Sequence, residues 1–439
     1  MVEGPCQFVF TIGFRDSPPP AKLNFIYKYL LALFCVFRIT LRRGGPPLSL
    51  RREVWLRFSQ VTLYFGEFMN KNINYDIFIN QLFSKGTKSG TPLSGTFELT
   101  PRCTLNCKMC YIHRSPNSCE AIEKEKSTEW WLNLARDARK EGMLLLLLTG
   151  GEPLLRKDFE EIYLECRKMG FLVSVNTNGT LIDDEKIKFF AENPPQKLNI
   201  TLYGTSPETY GELCGNADAF KKVIYAIKAL KEAGVNIKLN YTITPYNKDD
   251  MFKAYDIAKA LNVPIQPVSY MFPPLRSSCE GNTVRLSAED AAQAHFQWQK
   301  YHLGDADFKE YLHYMKLGKT PEEFGEICVD KTGEKINCRA GSTVFWVTWD
   351  GKMTPCGMMV TPSVEINDFN AAWNYIRAER GNIILPAECK NCSLRKSCDV
   401  CAAVTFAETG RYDGVPTYVC QKAKEYNRLC SNFLKSFNL

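Results

Sequence analysis

The sequence predicts an α/β chain: a partial (β/α)6 TIM-like barrel followed by a Cys-rich C-terminal metal domain. Three observations carry this. Between Gly95 and Ser269, short apolar runs alternate six times with segments of helical spacing, the rhythm of parallel strands joined by crossover helices. Polar motifs stand directly after the first four of those runs. Cysteines then gather at close spacing from Cys328 to Cys420. Six strands are too few for a closed eight-strand barrel, so the sheet is expected to be open, with its ligand site at the C-terminal strand ends.

In order, Thr96–Leu99 reads as the first strand and Glu129–Glu141 as a helix with apolar residues three and four apart. Leu144–Leu148 is a continuous apolar run, expected of a strand covered on both faces. Asp158–Met169 reads as a helix, Phe171–Asn176 as a strand, and Asp183–Glu192 as a helix stopped by Pro194-Pro195. Leu198–Tyr203 is a strand and Ala219–Ala233 a helix closed by Gly234. Asn236–Ile243, Asp249–Leu261 and Pro264–Ser269 complete the series as strand, helix and strand. After Val284 the texture changes. Ser287–Tyr301 and Phe308–Lys316 are helix candidates, and the chain then becomes rich in cysteine and turns. The expected division is 1–90 as an N-terminal leader, 91–284 as the barrel core, 285–327 as a helical bridge and 328–439 as the Cys-rich domain. No tandem repeat is visible.

Hydrophobic residues are 45% and charged residues 23%, a globular balance that excludes a mainly disordered chain. Eighteen cysteines over 439 residues are too sparse for a disulfide-stapled secreted scaffold. Their late clustering favours metal ligands in a reducing, cytoplasmic setting. The net charge is +7, but residues 1–68 hold nine Lys/Arg against four Asp/Glu, so most of the excess belongs to the leader. Nucleic-acid binding by the main body is not expected. Within the leader, Lys28 and Arg38 flank the apolar run Tyr29–Phe37, which is too short to span a membrane. A signal peptide, an amphipathic surface helix and a non-native extension ahead of a start at Met69 are the readings open there.

The chemistry begins with Cys103-x3-Cys107-x2-Cys110. Three thiolates on one loop can hold three corners of a four-iron cluster and leave the fourth iron open to a small molecule. With His113 they could instead hold zinc. Gly150-Gly151-Glu152-Pro153 follows the second strand, Asn176-Thr177-Asn178-Gly179 the third and Tyr203-Gly204 the fourth. Taken alone, the glycine pair is a tight turn and Asn178-Gly179 is another.

Together, Cys103-x3-Cys107-x2-Cys110-Tyr111 and Gly150-Gly151-Glu152-Pro153 some forty residues later resemble the radical S-adenosylmethionine superfamily, over about Gly95 to Val284. The resemblance implies a [4Fe–4S] cluster on the three cysteines. It implies S-adenosylmethionine chelated to the open iron, with Gly150, Gly151, Glu152 and Pro153 meeting its amine and the Tyr111 backbone beside its adenine. Asn176, Asn178 and Thr201 would contact the ribose or carboxylate. An external one-electron reductant of flavodoxin or ferredoxin type is implied as partner. The radical formed from the cofactor abstracts hydrogen from a substrate, while the protein positions it.

The region Cys328 to Cys430 resembles the SPASM domain, an auxiliary iron–sulfur module. By position, Cys328, Cys338, Cys356 and Cys401 would bind a first auxiliary cluster, and Cys389, Cys392, Cys398 and Cys420 a second. Two residues separate Cys398 from Cys401 where the family usually has three. A zinc ribbon is the alternative, since Cys389-x2-Cys392 and Cys398-x2-Cys401 are also zinc spacings. Cys6, Cys35, Cys119, Cys166, Cys214, Cys279 and Cys430 show no ligand spacing and read chiefly as small core residues or incidental thiols, with an approach of Cys214 or Cys279 to substrate as the lesser alternative; His295, His302 and His313 read as packing or surface residues.

The resemblance implies a peptide or protein substrate modified by a crosslink, a thioether or an oxidation. Sulfatase maturation ranks second. The family's base for that reaction is an Asp directly after the counterpart of Cys356, where this chain has Gly357. A non-catalytic iron–sulfur or zinc protein is the alternative of another class. The catalytic residue and the substrate's identity are not legible.

Overall fold

A computed structural model describes residues 75–274, 276, 284–317, 336, 338–395, 398 and 400–437. The leader up to residue 74, Cys279 and Cys328 lie outside these residues. Tyr75–Ser89 forms α1 and Ser94–Glu98 β1. The series continues with α2 (Cys119–Lys124), α3 (Thr128–Lys140), β2 (Leu145–Thr149), α4 (Phe159–Lys168), β3 (Leu172–Thr177), α5 (Asp184–Glu192) and β4 (Lys197–Thr201). It then runs through α6 (Pro207–Cys214), α7 (Ala219–Glu232), β5 (Ile237–Thr242), α8 (Met251–Ala260), β6 (Ile265–Val268) and α9 (Ala288–Leu317). The helix of α9 is broken at Gly304, where φ is 77°.

The ends are set by local chemistry. Ser127 Oγ accepts from Trp130 N and caps α3, whose inner face buries Trp131, Leu134, Ala135 and Ala138. Ser206 caps α6, Pro207 occupies its first turn, and Gly215 ends it at φ 71°. Trp131 is fully buried on Phe97, their ring centroids 5.2 Å apart. Each such side chain contributes about 2–3 kcal/mol of hydrophobic stabilisation.

One nine-stranded sheet runs in the order β6-β5-β4-β3-β2-β1-β7-β8-β9, its last three strands being β7 (Val344–Val347), β8 (Lys352–Thr354) and β9 (Val364–Glu365). β1 to β6 pair in parallel, as the alternation predicts, and the sheet is not closed. The free edge of β1 is taken by β7, also in parallel, with Ser94 opposite Val344 and Phe97 opposite Val347. The sheet thus extends beyond the six expected strands, because an unpaired β1 edge would leave its backbone groups without partners. The chain closes with α10 (Phe369–Gly381), α11 (Ala387–Lys390), α12 (Ala402–Thr409) and α13 (Thr417–Lys435). Among the described residues no helix is long and apolar enough to cross a membrane.

Along β4 and β5 burial alternates with period two. Leu198, Ile200, Leu239 and Tyr241 are buried, while Asn199, Thr201, Asn240 and Thr242 share the opposite, half-buried face. The parallel register sets Thr201 beside Asn240. A polar stripe thereby leads to the C-terminal strand ends.

Candidate active site

A cavity of ≈ 340 Å³ opens at those strand ends. Its walls include Cys103, Cys107 and Cys110 from the loop after β1, and Gly150 and Gly151 from the loop after β2. The cysteine loop is tied down by backbone bonds: Cys103 N donates to Arg114 O, Asn106 N to Cys214 O and Lys108 N to Leu213 O, each at 3.0 Å. It is zipped to the glycine loop by Gly151 N on Thr100 O at 2.7 Å and Glu152 N on Arg102 O at 2.8 Å. Both glycines are required by this approach. A Cβ on Gly150 would lie 2.5 Å from Thr100 O, and one on Gly151 2.4 Å from Arg102 O.

Cys103 and Cys107 are buried and Cys110 is half-buried. Burial, with Glu152 adding, pushes the Cys103 thiol up to about 12. Asn178 Nδ2 and Leu105 N point at Cys103 Sγ, at 3.4 and 3.5 Å. Three soft donors on one cavity wall fit three corners of an iron–sulfur cluster. Among the described residues no group of three His, Cys, Asp or Glu converges as a single metal ion requires.

Of the other residues expected at this site, Tyr111, Asn176, Asn178 and Thr201 line the cavity. Glu152 and Pro153 stand behind its wall, both buried. Thr177 Oγ1 donates to Glu152 at 2.8 Å, as do Asn178 N at 2.8 Å and Leu154 N at 3.1 Å. Its carboxyl ties its own loop to the loop after β3, and burial pushes it up to about 7. Asn176 Oδ1 accepts from Asn199 at 2.8 Å. Burial raises the Tyr111 hydroxyl, whose ring carries the Arg276 guanidinium at 5.1 Å. Arg276 also grips fully buried Glu98 at 2.8 and 3.0 Å, and Glu98 accepts from Trp346 Nε1 at 3.1 Å.

Tyr203, of the motif after the fourth strand, lines the cavity too; sequence reading missed Asn240, Thr242, Tyr270, Phe272 and Met358, which also line it. A signal for two of them was present: Leu198-Asn199-Ile200-Thr201 and Leu239-Asn240-Tyr241-Thr242 repeat one pattern on neighbouring strands. Cys214 ends α6 and is fully buried, as a small core residue, and its carbonyl accepts from Asn106 N on the cysteine loop; it does not line the cavity. His295 stacks on Tyr426 at 4.6 Å, and His302 shares a 3.1 Å hydrogen bond with Tyr255.

Cys389, Cys392, Cys398 and Cys420 line a second cavity of ≈ 340 Å³. Cys356 lies within electrostatic reach of Cys401 and Cys338; burial first, then those two thiols, push it up to about 12. Cys356 thus neighbours Cys338 and Cys401, while the other four cysteines share the wall of the second cavity.

Residues 97–257 match the model of the radical SAM superfamily. That match implies S-adenosylmethionine and a [4Fe–4S] cluster as cofactors. An "AdoMet-dependent heme synthase" of Methanosarcina barkeri is 26% identical over 72% of this chain and 93% of its own length. A protein of the same name from Oleidesulfovibrio alaskensis is 26% identical over 72% of this chain and 84% of its own. In fold, the chain resembles anSMEcpe with bound AdoMet and Cp18Cys peptide (TM-score 0.59, 20% identity, 79% of this chain and 98% of that one). It also resembles Streptococcus suis SuiB bound to the precursor peptide SuiA (TM-score 0.56, 17% identity, 78% of this chain and 79% of that one).

Proposed function

We propose that this radical SAM enzyme modifies a peptide or protein by hydrogen abstraction, giving a crosslink, a thioether or an oxidised side chain. The observation that carries the substrate class is the wall of the main cavity. Beyond its thiols, its described lining holds no formally charged side chain. It offers Thr201, Tyr203, Asn240, Thr242, Tyr270, Phe272 and Met358, a surface for an uncharged or aromatic side chain. A polyanionic substrate buried there would lack cations to pair with.

In this reading Cys103, Cys107 and Cys110 hold the first cluster. When bound, the cluster supplies the electron that cleaves the sulfonium of S-adenosylmethionine. Gly150 and Gly151 present backbone to the cofactor, Tyr111 flanks its adenine, and Asn176 and Thr201 face its ribose or carboxylate. Glu152 keeps the loops in register, with Pro153 fixing the turn behind it. Cys338, Cys356 and Cys401 belong to one auxiliary site, together with Cys328. Cys389, Cys392, Cys398 and Cys420 form the other. A flavodoxin- or ferredoxin-type donor supplies electrons to the first cluster.

Sulfatase maturation is disfavoured by packing as well as by composition. A Cβ on Gly357 would lie 2.9 Å from the Trp346 ring, so the position has no room for a carboxylate base. Formation of haem is the second reading, favoured by the names of the two sequence relatives.

Anaerobically reconstituted protein, reduced with dithionite and given S-adenosylmethionine, is expected to release 5′-deoxyadenosine. Peptides encoded beside the gene should raise that yield and gain or lose mass. Conversion of an iron-tetrapyrrole precursor to haem, read by its Soret band, would replace the peptide reading with the second one. No 5′-deoxyadenosine from iron-replete protein would overturn both.

A further inference from the structure

Arg276 stands behind the main cavity and joins three stretches that form its wall. It belongs to the segment after β6, which supplies Tyr270 and Phe272 to the wall. Its guanidinium lies over the ring of Tyr111, 5.1 Å from the centroid. Its Nη2 also donates to Gly357 O at 3.3 Å, in the turn between Cys356 and the wall residue Met358. Arg276 itself is absent from the described lining, so it acts on the cavity only through these neighbours.

Glu98 aims the guanidinium. Its carboxylate is fully buried at the end of β1 and accepts from Trp346 Nε1 at 3.1 Å. It also accepts two bonds from the arginine fork, from Nη1 at 3.0 Å and from Nη2 at 2.8 Å. A forked pair fixes the plane of the guanidinium as well as its position. Trp346 is wedged in turn against Gly357, where a Cβ would lie 2.9 Å from its ring. The anchor thus belongs to the sheet, with Glu98 on β1 and Trp346 on the neighbouring β7. A buried ion pair adds little stability over well-packed apolar residues. Stability alone therefore does not account for a cation set over the tyrosine that follows Cys110.

We propose that Arg276 is a positioning residue for S-adenosylmethionine binding: anchored on Glu98 and Gly357 O, it holds Tyr111 in place against the cofactor. This rests on the reading of Tyr111 as a cofactor contact. The π face of the ring attracts the cation. A ring held at its face restricts the backbone that carries it, and that backbone is the part expected beside the adenine. Lysine cannot substitute, because one ammonium cannot bond both Glu98 oxygens and Gly357 O while covering the ring.

The test is equilibrium dialysis of labelled S-adenosylmethionine against the reconstituted full-length protein without reductant, so that no turnover enters the reading. Arg276→Lys is expected to weaken binding about tenfold at unchanged iron content. Tyr111→Leu should weaken it by a similar factor. The double variant should lose no more than about tenfold in all, because both changes remove the same contact. Arg139→Lys is the control: Arg139 lies on α3, donates to Met169 O at 3.1 Å and is absent from the described lining, so affinity should not change. Wild-type affinity in Arg276→Lys at full iron content would overturn the proposal. So would single effects that multiply to about a hundredfold in the double variant, since the two residues would then act independently. An equal loss in Arg139→Lys would overturn it as well. If Arg276→Lys loses its iron, Tyr111→Leu decides alone, and wild-type affinity there overturns the proposal. An iron-replete wild type that binds no S-adenosylmethionine would instead refute the cofactor reading beneath it.

Discussion

Gly151 faces the carbonyl of Arg102 so closely that a Cβ would lie 2.4 Å from that oxygen and 2.6 Å from Pro101 O. Both neighbours are backbone, and both belong to the loop that carries Cys103. Neither can yield as a flexible side chain could. Gly151→Ala should therefore separate the glycine loop from the cysteine loop and break the bonds Gly151 N–Thr100 O and Glu152 N–Arg102 O. The expected outcome is a loss of about 2 kcal/mol of stability and of the iron bound at the first site. Urea denaturation and iron analysis check it, and retention of both would show that the loops move apart freely.

Glu152 gives a pH dependence. Its folded value of about 7 exceeds that of a free carboxyl because burial opposes the charge more than its three donors favour it. The contribution of the neutral form is fully present below the unfolded value near 4.3 and is lost as pH rises through about 7. Glu152→Gln does not titrate and places an amide N–H₂ among donors, so it should be less stable throughout. The margin in favour of the wild type should narrow between pH 4.5 and pH 7, by up to about 3 kcal/mol. Denaturation midpoints at the two pH values measure this; a margin that widens with pH would mean that the donors outweigh burial.

The features read in sequence were those with short-range signals. Cys103, Cys107 and Cys110 share one loop, and Gly150-Gly151 follows a run of leucines, so residue type and order sufficed. The strand at Val344–Val347 lies some 250 residues from its partner at Ser94–Phe97, and nothing local announces the pairing. Cys214 has no ligand spacing, and the bond of its carbonyl with Asn106 N depends on how α6 folds back over the loop. The helix Thr417–Lys435 was legible in principle, since Val419, Ala423, Tyr426 and Cys430 mark one buried face. Cys420 within it drew the reading toward a ligand loop instead. Arg276 and Glu98 lie 178 positions apart, beyond the reach of any periodicity.

That last pair makes a third prediction. Glu98 is fully buried at the end of β1, and Arg276 supplies its counter-charge while Trp346 Nε1 supplies a further bond. Replacing Glu98 by Gln leaves the Arg276 guanidinium buried without a full charge partner. A cost of about 3 kcal/mol is expected. Trp346→Phe removes one neutral donor and should cost about 1 kcal/mol. Equilibrium unfolding separates the two cases, and equal effects would show that the charge adds nothing to the hydrogen bonds.

The two cysteine sets beyond the barrel predict the metal content. Cys389, Cys392, Cys398 and Cys420 surround one cavity, while Cys356 senses Cys401 and Cys338. If each set holds a four-iron cluster alongside the first, the reconstituted chain should bind about twelve irons with matching sulfide. Cys392→Ala, at the exposed rim of the second cavity, should lower this to about eight. Cys356→Ala should do the same independently, and the double variant should retain about four. Cys430→Ala is the control: Cys430 is buried on α13 and absent from that cavity's walls, so its iron content should not change. Stoichiometric zinc without sulfide in the wild type would assign the C-terminal cysteines to a structural zinc site instead. Loss of all iron in Cys392→Ala would make the clusters interdependent in folding rather than separate.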